Sequence, residues 1–449
     1  MPPAVRRSGR HHRSPRPSII ATIAAGIGLA LVATSVRAQL TPTDQKIHAF
    51  VLQHHEDAIA MLERAVNINS GTMNVEGVRR VGRLFASALD SLGFKTQWVA
   101  LPDSVNRAGH LVGVHKGKPG GTRLLLIGHL DTVFEGEGQQ FVREDTIARG
   151  AGSSDMKGGD VIAIYALKAL RDIGQLDDAT ITVVFNGDEE SPGLPLSVSR
   201  QALREAASGS DVALAFEGGT QSLASVSRRG ASSWLLTVQA RQSHSAGVFS
   251  RSAGYGAIYE TARILDTFRR ELAGEPDLTF NPGVILGGAH VTYDTAHLSG
   301  SVDGKTNIIA PTAVVPGDLR FITNGQKDSA RLEMLRIVAD HLPGATAEIT
   351  FEDGYPAMPM TPGGEHLIAL YDSASVALGY GPVRAQDPAS RGAGDVSFVA
   401  PYIPGMDGLG ALGRGAHTPR EMVDLNSLNM QTERAAVLME RLLGERVKE

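Results

Sequence analysis

Between about residues 120 and 220 the chain alternates short apolar blocks with longer helical patterns. "TRLLLIGHLDTVF", "ATITVVFNGDEE" and "SDVALAFEGG" each hold an apolar block that stops at Gly or an acid, as a strand buried on both faces does. "GDVIAIYALKALRDIG" between the first two reads as a helix, and "KIHAFVLQHHEDAIAMLERAV" upstream reads as an amphipathic helical opening. Strand and helix in alternation predict an α/β domain with a largely parallel, mixed sheet covered on both faces. Ligands of such sheets gather outside the carboxyl ends of the strands.

The pattern then changes. "SSWLLTVQARQS" alternates strictly, and "AIYETARILDTFRREL" places Ile258, Ala262, Leu265 and Leu272 on one helical face. Extended segments follow in "GVILGGAHV", "HLSGSV" and "AVVPGDLRFIT", then a helix in "SARLEMLRIVADHL" and a strand in "ATAEITFED". The order β-α-β-β-α-β is that of a ferredoxin-like unit. The expected organisation is a principal domain formed by residues 39–225 and 355–449, with the second unit inserted at 226–354.

The first 38 residues stand apart: a basic n-region, an apolar stretch from about Ile19 to Ala33, and small residues Val36 and Ala38 before Gln39. This is the pattern of a cleavable signal peptide, so a periplasmic or secreted protein is expected. An exported chain with no cysteine has no disulfide framework and no thiolate to offer a metal. Among 449 residues, 42% hydrophobic and 20% charged is ordinary globular composition. The net charge of -5 leaves no basic footprint for nucleic acid.

Candidate chemistry sits where the apolar blocks end. His129 and Asp131 follow "LLLIG"; Asp188, Glu189 and Glu190 follow "ITVVFNG"; Glu217 follows "DVALAF"; and His417 follows the Gly-broken run "GLGALGRGAHTPRE". Asp155 lies in the Gly-rich turn "ARGAGSSDMKGGD", directly before a helix. Three adjacent carboxylates raise one another's pKa unless something positive lies among them, and the nearest candidate is a metal ion. His, Asp and Glu without Cys are the donors of open, hydrolytic sites rather than closed structural ones.

Taken in order, "GHLDTV", "GAGSSDMKGG", "NGDEE", "AFEGG" and "GAHTP" make the chain resemble the M20 family of di-zinc metallopeptidases and amidohydrolases, which includes glutamate carboxypeptidases, aminoacylases and acetylornithine deacetylase. The resemblance spans nearly all of the chain after the signal segment. It implies that the inserted unit is a lid or dimerisation domain, and that His129 and Glu217 hold one zinc ion while Glu190 and His417 hold the other. Asp155 would bridge the two, Asp131 would support His129, and Glu189 would be the general base. The charges agree: two divalent ions are balanced by Asp155, Glu190, Glu217 and one deprotonated water, with Asp188 left outside. Cobalt or manganese are the alternatives to zinc.

The resemblance further implies that His244, in "RQSHSAGVF", donates to the oxyanion of a partner subunit's site in a homodimer, and that Asn307 and Arg320 meet the substrate carboxylate. An ion pair of Arg320 with Asp318 is the structural alternative. The late loop "SRGAGDVSF" carries Arg391 and Gly394 where relatives have Gly and Thr, so a different specificity pocket is expected there. The expected activity is hydrolysis of an amide or peptide bond next to a carboxylate, on a small peptide or an N-acyl amino acid. An aminopeptidase or dipeptidase of the related co-catalytic zinc fold is the second reading, and a catalytically inactive binding protein the third. The inserted unit argues against the second, and the complete set of ligands and base against the third.

Overall fold

A computed structural model describes residues 40–136, 140–295 and 297–445; the signal-peptide segment lies outside them. The principal sheet has six strands in the order Lys95–Val99, His110–His115, Thr180–Asn186, Arg123–His129, Val212–Ala215 and Gly405–Met406. The pairings among the first three are antiparallel, and those from Thr180–Asn186 onward are parallel. The central block is buried on both faces, as its unbroken hydrophobicity predicts. Leu124 and Leu126 enter one core with the helices His55–Val66, Lys157–Asp172 and Asn426–Gly444, while Leu125 and Ile127 enter another with Leu203, Val396 and Phe398. Each of these four side chains is at most 2% exposed, which stabilises the fold by about 1.5–3 kcal/mol apiece.

The helix Lys157–Asp172 begins on two glycines that allow a close approach. A Cβ on Gly159 would stand 1.9 Å from the Phe216 carbonyl oxygen, and one on Gly158 would stand 2.5 Å from that of Ser153. Lacking those atoms, the helix start presses onto the end of the Val212–Ala215 strand, and the turn bearing Asp155 comes to lie beside Glu217.

A second sheet is antiparallel throughout, in the order Thr279–Pro282, Thr312–Phe321, Gly230–Ala240 and Ala345–Asp353, with Leu286–Gly288 also paired to Thr312–Phe321. Its core is its own: Trp234, Leu236 and Val238 pack with Leu319 and Phe321 against Ile264, Phe268, Met334 and Ile337 of the helices Gly256–Leu272 and Asn324–Ala339. The buried face of the first helix differs from the expected one. Ile258 and Ala262 are exposed, and the inward stripe is Ala257, Thr261, Ile264, Phe268 and Leu272. Its polar member Glu260 is buried because Arg263 pairs with it at 2.7 Å, a compensation that an apolar-residue pattern does not register.

Two segments connect this sheet to the rest of the chain, and they run antiparallel to each other. Arg228 and Met358 exchange backbone hydrogen bonds of 2.8 and 2.9 Å, the Ala231 amide donates to the Tyr355 carbonyl at 2.9 Å, and the Gly354 amide donates to that of Ala231 at 3.2 Å.

Candidate active site

His129 is the last residue of the strand Arg123–His129, and its side chain is buried. Its Nδ1 lies 3.1 Å from the Asp131 carbonyl oxygen, which only accepts, so Nδ1 carries a proton, and in the neutral ring Nε2 is the atom left free to bind a metal. Nε2 has no hydrogen bond and faces Asp155 Oδ1 at 3.4 Å and Glu217 Oε1 at 3.5 Å. On the other side of Asp155, Oδ2 is 3.2 Å from His417 Nε2, which is also 3.1 Å from Glu190 Oε2. Two triads result, His129–Asp155–Glu217 and Asp155–Glu190–His417, each with ligand atoms within 4.8 Å of one another and sharing Asp155 through different oxygens. In each triad an imidazole Nε2 faces two carboxylates, a donor set that fits a divalent cation.

Four donors come from the expected places, and one does not. His417 leaves a small separate sheet rather than the principal one, just after the short strand Gly413–Arg414, and it sits at φ 61°, in the left-handed region that a non-glycine residue rarely occupies.

Burial and charge describe the same pocket. Burial raises the Glu189 carboxyl well above its ordinary range and brings Glu190 up to about 8 and Glu217 up to about 7. Asp155 goes the other way: burial raises it, but His129 and His417 outweigh that and hold it low. The hydrogen bond to Asp155 lifts His417 to about 9. Protons thus compensate the acids wherever cations do not, and a divalent ion would displace them.

Several residues hold this arrangement without contributing a ligand atom to the triads. The Asp131 carboxylate accepts from Thr72 Oγ1 at 2.7 Å and from the Glu189 and Glu190 amides at 3.0 and 3.1 Å, so it fixes the glutamate pair as well as lying beside the imidazole. Asp188 turns away, to the fully buried Arg200 at 2.6 Å, which also meets Asp395 at 2.7 Å. Buried Glu421 accepts the amides of Gly152, Ser154 and Asp155. Arg228 pairs with Asp407 at 2.7 Å, and Asp407 accepts the Glu217 amide at 3.3 Å. Asp131 and Asp188 stand in the sequence motifs; among the others Glu421 carries a local signal, an acid four residues after His417 in "GAHTPRE".

The remaining candidates lie apart from the triads. His244 is exposed on the second sheet's unit, and its Nδ1 accepts the Ala246 amide at 3.2 Å, which leaves the ring proton on Nε2. Asn307 is its neighbour, with a carbonyl that accepts the Ser245 amide at 2.9 Å. Among the described residues no hydrogen bond or ion pair joins either to the carboxylates. Arg320 pairs with Asp318 at 2.8 Å on the sheet face opposite Leu319 and Phe321. Arg391 donates to the Gly218 carbonyl at 2.7 Å, one residue beyond Glu217. At Gly394 a Cβ would stand 2.3 Å from the Arg228 guanidinium, so the glycine makes room for that side chain.

The description "Peptidase family M20/M25/M40" matches residues 125–441. Carboxypeptidase G2 of Pseudomonas sp. (strain RS-16) is 29% identical over 443 residues, covering 94% of this chain and 98% of that one. Among solved structures, aminopeptidase PepT of Bacillus cereus superimposes with a TM-score of 0.71 at 17% identity, covering 86% of this chain and 98% of its own. The YXEP protein of Bacillus subtilis, a dinuclear metal-binding peptidase of the M20 family, gives 0.59 at 15% identity, covering 88% and 99%. At these identities the two structures show the fold alone, and the family match carries the assignment. With two triads built around a shared aspartate and the family pattern running through them, the chain belongs to peptidase family M20/M25/M40 and is a metal-dependent hydrolase.

Proposed function

We propose that this hydrolase cleaves an amide or peptide bond next to a free carboxylate, as a carboxypeptidase acting on small peptides or N-acyl amino acids, with two zinc ions in the triads. The observation that carries the reading is Asp155, one oxygen in each triad, with Glu189 immediately before the ligand Glu190. The end-to-end similarity to Carboxypeptidase G2 supports a carboxyl-side cut. Bound at these triads, divalent ions supply Lewis-acid polarisation of the scissile carbonyl and a water acidic enough to attack at neutral pH. Glu189 is the base that would take a proton from the attacking water and return it to the leaving nitrogen. Asp131 holds the Glu189 amide in place during both transfers.

His244, with Nε2–H facing outward, is a donor for the developing oxyanion. We assign it to the site of a second copy in a homodimer, with the 226–354 unit as lid and dimer surface, and we place the protein outside the cytoplasm, after cleavage of residues 1–38. Arg320, Asn307, Arg391 and Gly394 are assigned to substrate binding. The test is metal-replete enzyme incubated with dipeptides and N-acyl amino acids, each as free acid and as C-terminal amide, and read by mass spectrometry. Free acids are expected to be cut and amides spared. Removal of the N-terminal residue from the amides would replace this reading with an aminopeptidase.

A further inference from the structure

Tyr355 belongs to neither the triads nor the lid core. It lies on the Gly354–Met358 segment, one of the two connections between the sheets, and its carbonyl accepts the amide of Ala231, at the start of the strand Gly230–Ala240 that the other connection enters. Its side chain reaches the opposite way. The phenol donates to the backbone carbonyl of Glu189 at 3.3 Å, and the ring packs on Phe398 with centroids 4.9 Å apart. Phe398 closes the turn Asp395–Phe398, which also supplies the Asp395 partner of Arg200. One residue therefore touches the connection to the second sheet, the turn that follows the 391–394 loop, and the residue assigned as base.

We propose that Tyr355 is a positioning residue that sets Glu189 from the connection to the second sheet, so that the base is correctly placed only when that connection holds its observed path. This rests on the reading of Glu189 as the general base. Asp131 fixes the Glu189 amide from one side. The Tyr355 hydroxyl fixes its carbonyl from the other, so both ends of the residue's backbone are defined while the carboxylate stays free to carry a proton. A backbone clamped at one end only lets the carboxylate swing, and small misplacements of a base are costly in rate. Burial holds the phenol protonated, so it remains a donor throughout the working range.

The test is Tyr355→Phe, which deletes the hydroxyl and keeps the ring against Phe398, measured beside Glu189→Gln in the metal-replete full chain. One neutral hydrogen bond corresponds to about a three- to tenfold change, so kcat of Tyr355→Phe is expected to fall by that factor. KM should stay within about twofold, and metal content and melting temperature should match the wild type. A merely structural tyrosine would lower the melting temperature or the metal content instead, and that result overturns the inference, as does an unchanged kcat. If Glu189→Gln turns over normally, the base assignment itself fails. If Glu189→Gln is crippled and Tyr355→Phe is normal, only the role of Tyr355 fails.

Discussion

Glu421 offers the sharpest test of how the metal cluster is held. It is 1% exposed, and its carboxylate accepts four hydrogen bonds from the turn that delivers Asp155. Oε2 takes the Gly152 amide at 2.8 Å, while Oε1 takes the Ser154 amide at 2.8 Å, the Ser154 hydroxyl at 3.0 Å and the Asp155 amide at 3.0 Å. Glu421→Gln keeps the shape and replaces one acceptor with an NH2. The less costly orientation points that NH2 at the single Gly152 donor and keeps the three bonds to the other oxygen. One backbone donor is then unpaired in a buried place, at a cost of about 1–3 kcal/mol. Glu421→Ala unpairs all four donors; allowing for a water entering the space, about 3–5 kcal/mol is expected.

Because those donors belong to residues 152–155, the loss is expected in metal affinity as well as in folding. Supporting groups of metal ligands typically contribute 10–100-fold to affinity, and Glu421→Gln is placed at the lower end of that range. Equilibrium competition with a chromogenic chelator gives the affinity, and melting of the metal-free protein gives the fold contribution. If Glu421→Gln melts early without metal yet holds metal as tightly as the wild type, Glu421 supports the fold alone and the reasoning fails.

Glu190→Ala removes a ligand outright, so metal content after dialysis against a mild chelator should drop and the melting temperature with it; full occupancy would contradict the ligand assignment. Metal uptake by the metal-free protein should strengthen from about pH 6 to about pH 9.5, because burial holds Glu217 up to about 7 and Glu190 up to about 8, the hydrogen bond to Asp155 holds His417 up to about 9, and all three must lose protons to become ligands. Calorimetry in two buffers of different ionisation enthalpy counts the released protons, and a count near zero at neutral pH refutes the argument. For His244, mixing inactive Glu189→Ala and His244→Ala subunits should restore about a quarter of wild-type activity, since about half of randomly paired dimers are hybrids with one intact site. Verified hybrids that remain inactive would place His244 in its own subunit's site.

The donors were legible in the sequence because each comes at the end of an apolar block or in a Gly-rich turn. Backbone geometry alone delivers His129, Glu190 and Glu217 to one edge of a parallel sheet. What supports them was not legible. Arg200 lies 195 residues from Asp395, and Arg228 lies 164 residues from the Gly392 carbonyl that it bonds. In a sequence, such an arginine looks like any solvated one. On the second-sheet helix, Ile258 and Ala262 read as inward yet are exposed, for a related reason: Glu260 reads as exposed until Arg263 is seen beside it. Periodicity reports hydrophobicity, and it misses a buried charge whose partner satisfies it.

The buried ion pairs do different work from the hydrophobic cores. Arg200 joins the turn of Asp188, Glu189 and Glu190 to Asp395, and Arg228 joins Asp407, the acceptor of the Glu217 amide, to the 391–394 loop. Apolar residues of similar volume would often stabilise a core as well or better, so stability alone is a weak reason for these pairs. Directionality is a stronger one. A guanidinium with two carboxylate partners fixes the angle between two chain segments, which an apolar contact leaves loose. Two triads sharing one aspartate tolerate little drift, because a shift of Glu190 relative to Glu217 changes one triad at the expense of the other. The arginines set the distance between Glu190 and Glu217, and the cores hold the sheet whose strand ends carry them.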